Sequence, residues 1–207
     1  MLQKKSNLRE KIEKTVVLAI LATVIVVLQS FAASIPVGPF TITLSLVPIV
    51  LGAVLYGPIA GAFLGAVFGA IVCAAVVSGA DIGGNLMFQQ LPFITLFLCV
   101  LKSTAAGFLA GLVCKALAKK NLYLGVVASA ILCPVVNTGI LASGMLLFYQ
   151  ELVTGWALGA GYGNALAYII LGMVGVNFLV EMAINIVLIP AIVRIIQAIT
   201  KQGFIKT

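Results

Sequence analysis

Long apolar runs, separated by short polar breaks, dominate the chain. No Asp, Glu, Lys or Arg occurs between Lys14 and Asp81 or between Lys120 and Glu151. A helix needs roughly 20 apolar residues to cross the hydrocarbon core of a bilayer, and proline, glycine and polar residues divide the long runs. The pattern predicts six membrane-spanning helices, at about 15–33, 43–56, 58–78, 92–117, 122–148 and 165–193.

Turn and capping residues support several of these boundaries. The second span is short and contains Pro48, and the tight turn Tyr56-Gly57-Pro58 leads into the third. Because proline suits the first turn of a helix, Pro58 and Pro92 are expected to begin the third and fourth spans. Asn121 is the expected N-cap of the fifth span.

Three longer segments, at 34–42, 79–91 and 149–164, are predicted to be irregular and to lie on one side of the membrane. The turns on the other side are short. Binding residues concentrate on elaborate loops of a rigid scaffold. We therefore expect a small-molecule partner to approach from the side of the three long segments.

Composition supports a membrane protein and excludes several functions. Of the 207 residues, 63% are hydrophobic and 8% are charged, whereas soluble domains carry roughly 25% charged residues. The prediction is an all-α integral membrane protein with a single domain over 1–207, which begins with a basic segment at 1–14. The chain lacks histidine, which excludes histidine zinc sites and Ser-His-Asp triads. It also lacks a GxxxxGK[ST] motif, so we expect no ATP hydrolysis through a P-loop of its own. Its four cysteines are scattered. We expect no bound metal or cofactor and no nucleic-acid partner.

The basic residues predict the orientation of the chain in the membrane. Every Lys and Arg except Lys102 lies at 4–14, 115–120 or 194–206, three regions that six spans place on one side. By the positive-inside rule both termini are predicted to be cytoplasmic. A cleaved signal peptide at the first span is the alternative, but its removal would leave five spans.

Lys102 and Glu181 are the two charges predicted to lie deep in the membrane. A lysine there costs roughly 2.5–3.5 kcal/mol on insertion scales, so Lys102 requires a partner, water or a ligand. Asn177, Glu181 and Asn185 recur every four residues and form one polar stripe that must face the bundle interior. Asn137 adds a polar group from the fifth span. These residues either form a structural Lys102–Glu181 ion pair with asparagines that bridge helices, or line a ligand cavity.

Small residues form two further patterns. The third span carries a row of glycines at Gly57, Gly61, Gly65 and Gly69. Such a row permits close approach of a second helix, and packing within the chain is favoured over docking to another subunit. The first span has a small-residue patch at Ala19, Ala22 and Thr23.

Two of the three long segments contain amide and aromatic side chains that are candidates for ligand contact. These residues are Asn85, Gln89, Trp156, Tyr162 and Asn164. Aromatic residues in such positions commonly form an interfacial belt. The alternative is a lid that stacks on a ligand and hydrogen-bonds to it.

The segment from residue 35 onwards narrows the range of possible functions. It reads IPVGPFTITL at 35–44 and VPIVLGAVLYGP at 47–58, and it continues as GAFLGAVFG at 61–69. With its length, six predicted spans and charge layout, the chain resembles the substrate-binding S components of energy-coupling factor (ECF) vitamin transporters.

This resemblance implies a six-helix S-component bundle in a bacterial-type plasma membrane. Such proteins bind a vitamin or similar micronutrient with high affinity near the outer surface. They then dock on a transmembrane coupling subunit that carries two ATP-binding-cassette ATPases, topple in the membrane and release the ligand inside. The resemblance assigns docking on the coupling subunit to Ala19, Ala22 and Thr23, whose spacing departs from the AxxxA motif common in the family. It also implies that the segment 34–42 gates the binding site.

The candidate ligands follow from the candidate site residues. A cavity lysine such as Lys102 suits a carboxylate, as in pantothenate, whereas Trp156 and Tyr162 would stack on riboflavin. These two vitamins are the leading candidates.

Other functions remain open at this point. Lys102 and Glu181 would suit the coupling pair of a self-contained, ion-coupled secondary transporter of a small metabolite, although the chain halves have no visible repeat. The glycine row would suit an assembly protein. An intramembrane enzyme is disfavoured because no nucleophile constellation is visible.

Overall fold

The computed structural model describes residues 2–32, 36–37, 40–41, 44–173, 178–179, 181–185 and 187–188. Its helices are α1 (Leu2–Ala32), α2 (Leu46–Tyr56), α3 (Pro58–Ser78), α4 (Ile82–Gln90), α5 (Pro92–Ala118), α6 (Leu122–Phe148), α7 (Gln150–Gly159) and α8 (Ala165–Ala167). α8 continues into a π-helical turn at Tyr168–Met173, and residues 181–185 are also helical. A short antiparallel hairpin, β1 (Pro36–Val37) and β2 (Phe40–Thr41), lies between α1 and α2.

Four of the described helices are long and apolar enough to cross a membrane. They are α1, over its part Glu10–Phe31, and the whole of α3, α5 and α6, whereas α2 is apolar but has only 11 residues. The four long helices lie at the first, third, fourth and fifth predicted spans, and the short α2 lies at the second. The predicted sixth span, 165–193, lies only partly within the described residues. α1 begins at Leu2, so the basic segment is continuous with the first span.

The predicted helix starts are confirmed. Pro58 and Pro92 occupy the first turns of α3 and α5. The side chain of Asn121 accepts hydrogen bonds from the N–H groups of Tyr123 and Leu124 at the start of α6. Between α2 and α3, Gly57 has a φ of 86°, a conformation that glycine adopts without steric cost.

The glycine row of α3 packs against α5. A Cβ atom added at Gly61 would overlap the backbone oxygen of Gly107, and one added at Gly65 would overlap that of Ser103. At Gly69 an added Cβ would lie 2.8 Å from Cα of Val100. Packing within the chain, the favoured interpretation of this row, is therefore confirmed for these three glycines.

Two apolar cores hold the bundle together. The first joins α1, α2, α3, α5 and α6 around buried residues such as Ile49, Leu64 and Phe68. The second gathers Met87 of α4 and Val153 of α7 with the adjoining ends of α5 and α6. We call this second region, where α4, α7 and α8 cover the ends of the long helices, the capped end.

The prediction that 79–91 and 149–164 are irregular is wrong, because these segments contain α4 and α7. Asp81 N-caps α4 by accepting a hydrogen bond from the Gly84 N–H, 2.9 Å away. α7 buries Val153 and Ala157 against the second core. Both helices are glycine-containing and short, so tertiary burial rather than intrinsic propensity stabilises them.

Candidate functional site

The structure places the predicted deep polar residues in two clusters. Lys102 of α5 lies in the first cluster, near Asp81 between α3 and α4. Glu181 and Asn185 lie in the second, which faces Thr138 of α6. Asn177, the remaining member of the predicted stripe, lies outside the described residues.

Lys102 and Asp81 line one small cavity. Both side chains are buried, and the cavity has a volume of about 10 Å³, which holds about one water molecule. Thr95 and Cys99 of α5 add polar groups to its wall. An acidic residue therefore lies beside the lysine, at the position where a ligand carboxylate was expected.

Asp81 is both a helix cap and a buried acid. Burial raises the pKa of its carboxyl group, while the hydrogen bond from Gly84 and the positive charge of Lys102 oppose that rise. The net direction is upward, so the folded protein binds a proton at Asp81 more readily than the unfolded chain does.

A hydroxyl pair closes the capped end beside this cavity. The hydroxyl oxygens of Thr95 and Tyr149 lie 2.7 Å apart, and both lie within hydrogen-bond distance of the backbone oxygen of Leu91. Because each hydroxyl has one proton, one of the two donates to the other, which donates to Leu91. Tyr149 is 1% exposed. These bonds fix the start of α5 to the end of α6.

The second cluster joins α6 to residues 181–185. Glu181 is fully buried, and Thr138 Oγ1 donates to Glu181 Oε2 over 3.5 Å. Asn185 Nδ2 donates to the backbone oxygen of Glu181 over 2.8 Å. The burial of Glu181, Asn185 and Asn137 confirms that these polar residues face the interior.

Two buried carboxamide oxygens have no hydrogen-bond partner among the described residues. They are Oδ1 of Asn137, which is 3% exposed, and Oδ1 of Asn185, which is 1% exposed. A buried polar atom left unpaired costs about 1–3 kcal/mol. Such atoms therefore mark places where water or a ligand group completes the structure.

A larger groove between α5 and α6 has a different character. Its volume is about 360 Å³, and Phe97, Leu101 and Leu147 are among the residues that line it. Among the described residues that line this groove, Ser143 alone has a polar side chain. A polar ligand finds few partners there, so we place the candidate site at the two polar clusters.

Comparison with known families decides among the functions that the sequence left open. The family model of the ECF transporter substrate-specific component matches residues 13–193. The chain belongs to the ECF transporter S components. No curated protein and no solved structure gives a match. The resemblance seen in the sequence is confirmed, and the chain is a multi-pass membrane protein that serves as the substrate-specific subunit of a transporter.

Several amide residues at the capped end of this S component serve local structure. Asn85 Nδ2 donates to the backbone oxygen of Val76, and Asn85 Oδ1 accepts from Gln89 Nε2. Asn164 caps α8 by accepting from the Ala167 N–H over 2.7 Å. Gln89 is exposed.

The candidate aromatic residues pack at the same end. Trp156 is half-buried against the second core. Tyr162 meets Tyr168 edge-on, with ring centroids 5.4 Å apart. Both positions suit a lid as well as an interfacial belt, so ligand contact by Trp156 and Tyr162 stays a prediction.

The small-residue patch of α1 is divided between two faces of the helix. Ala19 and Thr23 are exposed, and the Thr23 hydroxyl donates to the backbone oxygen of Ala19. Ala22 instead packs against the first core of the S component. A docking surface on this helix would therefore include Ala19 and Thr23 rather than Ala22.

Sequence reasoning missed four polar residues that the structure places in or beside the clusters, namely Asp81, Thr95, Thr138 and Tyr149. Asp81 carried a signal, because an aspartate before a helix is a common N-cap. Thr138 directly follows Asn137 in an apolar span, which was a weaker signal. Nothing in the local sequence indicates that Thr95 and Tyr149 meet, since they are far apart in the chain.

Proposed function

We propose that this S component binds a water-soluble vitamin or related micronutrient with high affinity and delivers it across a bacterial-type plasma membrane. Its transport depends on a separate transmembrane coupling subunit and two ATP-binding-cassette ATPases. The observation that carries the proposal is a set of buried, partly unpaired polar atoms inside an otherwise apolar bundle of this family.

The proposed topology has six spans, with both termini in the cytoplasm and the capped end outside. The distribution of lysine and arginine supports it, because Lys14 of α1 and Lys115 of α5 lie at the helix ends away from the capped end. In this arrangement the hairpin, α4 and α7 cover the ligand entrance.

The proposed substrate-binding residues come from both polar clusters and from the capped end. They are Lys102, Asn137, Asn177, Glu181, Asn185, Asn85, Gln89, Trp156, Tyr162 and Asn164. Pantothenate and riboflavin are the first vitamins to test. Asp81 beside Lys102 weakens the reason to expect a carboxylate, and this favours riboflavin over pantothenate.

The proposed docking surface for the coupling subunit lies on α1. Only 17% of its membrane window is buried in the bundle, against 44% for α3 and for α6. Ala19 and Thr23 leave a shallow, exposed strip on this helix, which a second helix can approach closely.

Identification of the bound molecule tests the proposal. The full chain is purified in detergent, and the small molecules that it releases on denaturation are identified by mass spectrometry. We expect one vitamin-like compound, which rebinds to the emptied protein in a saturable titration. The proposal fails if neither released compounds nor added vitamins bind saturably.

A further inference from the structure

Lys102 and Asp81 reach one cavity from two elements of the capped end. Lys102 belongs to α5, and Asp81 directly precedes α4. Their side chains are 8% and 9% exposed, and both line the cavity of about 10 Å³. The charge of Lys102 acts on the Asp81 carboxyl group. One cationic and one acidic side chain are therefore brought together inside an otherwise apolar bundle.

Both groups have hydrogen-bonding capacity that no direct contact uses. Asp81 Oδ1 accepts from the Gly84 N–H over 2.9 Å. Among the described residues, Asp81 Oδ2 and the ammonium group of Lys102 have no hydrogen-bond partner, and no direct ion pair joins the two. The cavity that they share has room for about one water molecule. A water there can accept from Lys102 and donate to Asp81 at the same time.

The backbone around Asp81 fixes its position. Its N–H donates to the backbone oxygen of Ala75 over 3.2 Å, and its own backbone oxygen accepts from the Asn85 N–H over 2.8 Å. A Cβ added at Gly84 would lie 2.5 Å from Val76 Cγ2, so the first turn of α4 packs directly on α3. Withdrawal of Asp81 from the cavity would break these contacts. The carboxylate is therefore a permanent part of the cavity wall.

The start of α4 explains why an acid is needed at this position. The N-terminus of a helix carries partial positive charge, and the first turn of α4 lines the cavity through Gly84. Without Asp81, this partial charge and the Lys102 ammonium would together attract an anion. With Asp81 in place, a ligand carboxylate would be a second negative group beside a single lysine. Its removal from water would then lack a matching cation.

We propose that Asp81 is the built-in counter-ion of Lys102, paired with it through one water molecule, and that it restricts this S component to a vitamin without net negative charge. The pairing of the two residues stands on the shared cavity. The restriction on the substrate rests on the proposed function. Asp81 then determines specificity without contacting the substrate itself.

A double-mutant cycle on thermal unfolding of the full chain in detergent tests the pairing. The variants are Asp81→Asn, which keeps an oxygen for the helix cap, Lys102→Met, and the two combined. Each single change leaves one buried charge unpaired. We therefore expect the double variant to lose less in unfolding temperature than the sum of the two single losses.

The control cycle combines Asp81→Asn with Lys115→Met, at an exposed lysine further along α5. Its losses should be additive, because Lys115 does not line the cavity. Additive losses for Asp81 and Lys102 as well would overturn the pairing.

Titration of the purified chain with pantothenate, which carries a carboxylate, tests the restriction on the substrate. We expect Asp81→Asn to bind pantothenate roughly tenfold or more tightly than the wild type, because Lys102 then lacks its counter-ion. Glu151→Gln removes the same charge from an exposed residue of the capped end and should leave pantothenate affinity unchanged. The molecule that the purified wild type releases should carry no net negative charge.

Two results would overturn the restriction. Either the wild type releases a molecule with net negative charge, or Asp81→Asn gains no more pantothenate affinity than Glu151→Gln does. A retained anionic vitamin would remove this inference and leave the proposed function intact. Coupling of Asp81 to Lys102 in a chain that binds no small molecule would contradict the proposed function and leave the pairing intact.

Discussion

Most buried hydroxyl groups in this bundle donate to nearby backbone oxygens. Ser103 donates to Cys99 in its own helix, and Ser129 reaches both Gly125 and Ala110 over 2.8 Å. These bonds satisfy the hydroxyls of Ser103 and Ser129 inside the apolar bundle, where an unpaired polar group is costly, whereas Thr104 Oγ1 has no partner among the described residues. The carboxamide oxygens of Asn137 and Asn185 differ from this pattern, and this difference directs attention to them as ligand contacts.

The hydroxyl of Tyr149 provides a test of the capped end. Tyr149→Phe removes its contacts with Thr95 and Leu91, while Thr95 keeps its own bond to Leu91. We expect the variant to lose about 1 kcal/mol of unfolding free energy, because no buried donor is left unpaired. Reversible unfolding in detergent measures this loss. Tyr123→Phe, at a residue that is 57% exposed, is the control and should be neutral.

Asp81 predicts a pH dependence of stability. Because burial raises its pKa in the folded protein, its contribution is fully present below the ordinary carboxyl pKa and is lost as pH rises through the folded-state pKa. Asp81→Asn keeps an oxygen for the Gly84 N–H and removes the titration. The unfolding temperature of the wild type minus that of Asp81→Asn should therefore fall as the pH rises above the ordinary carboxyl pKa of about 4. A difference that is constant or rises with pH would contradict this account.

Burial of individual residues was predictable from the sequence, whereas their partners were not. Lys102, Asn137, Glu181 and Asn185 interrupt apolar spans, and the cost of exposing them to lipid requires them to face inward. Whether Lys102 meets Asp81 or Glu181 depends on the rotation and neighbours of each helix. Those are properties of the assembled bundle, so the sequence left the partner of Lys102 open.

At the scale of elements, the contact between α3 and α5 is the closest helix packing described above. Gly65→Ala would place a methyl group against the backbone oxygen of Ser103. Because backbone cannot move aside easily, we expect a loss of about 1–3 kcal/mol in unfolding free energy. Thermal or denaturant unfolding in detergent measures it.

The matched control is Gly139→Ala in α6. A Cβ added there has no atom within 4 Å, so the substitution should be neutral or stabilise the helix by up to about 1 kcal/mol. Equal losses in the two variants would show that an effect common to both sites, rather than the α3–α5 contact, determines stability.

Long spans were easier to predict than the helices of the capped end. Continuous hydrophobicity and the markers Pro58, Pro92 and Asn121 define α3, α5 and α6 from local sequence. α4 and α7 instead contain glycines and depend on the burial of Met87 and Val153 against distant parts of the chain. Local sequence does not contain that information.

At the scale of the whole molecule, the exposed face of α1 predicts where the coupling subunit docks. Ala19→Phe would fill the shallow strip beside Thr23 and reduce co-purification with the coupling subunit, while ligand affinity stays unchanged. Ala74→Phe, at an exposed alanine of α3, is the control and should retain assembly. Unchanged assembly in Ala19→Phe would exclude this face as the docking surface.

The most direct test of the central claim is transport by proteoliposomes that contain the S component with or without its coupling subunit and two ATPases. The substrate is the vitamin identified on the purified chain. We expect uptake only when all partners and ATP are present, because the chain has no GxxxxGK[ST] motif of its own. Uptake by the isolated chain on an ion gradient alone would contradict the account and establish a secondary transporter.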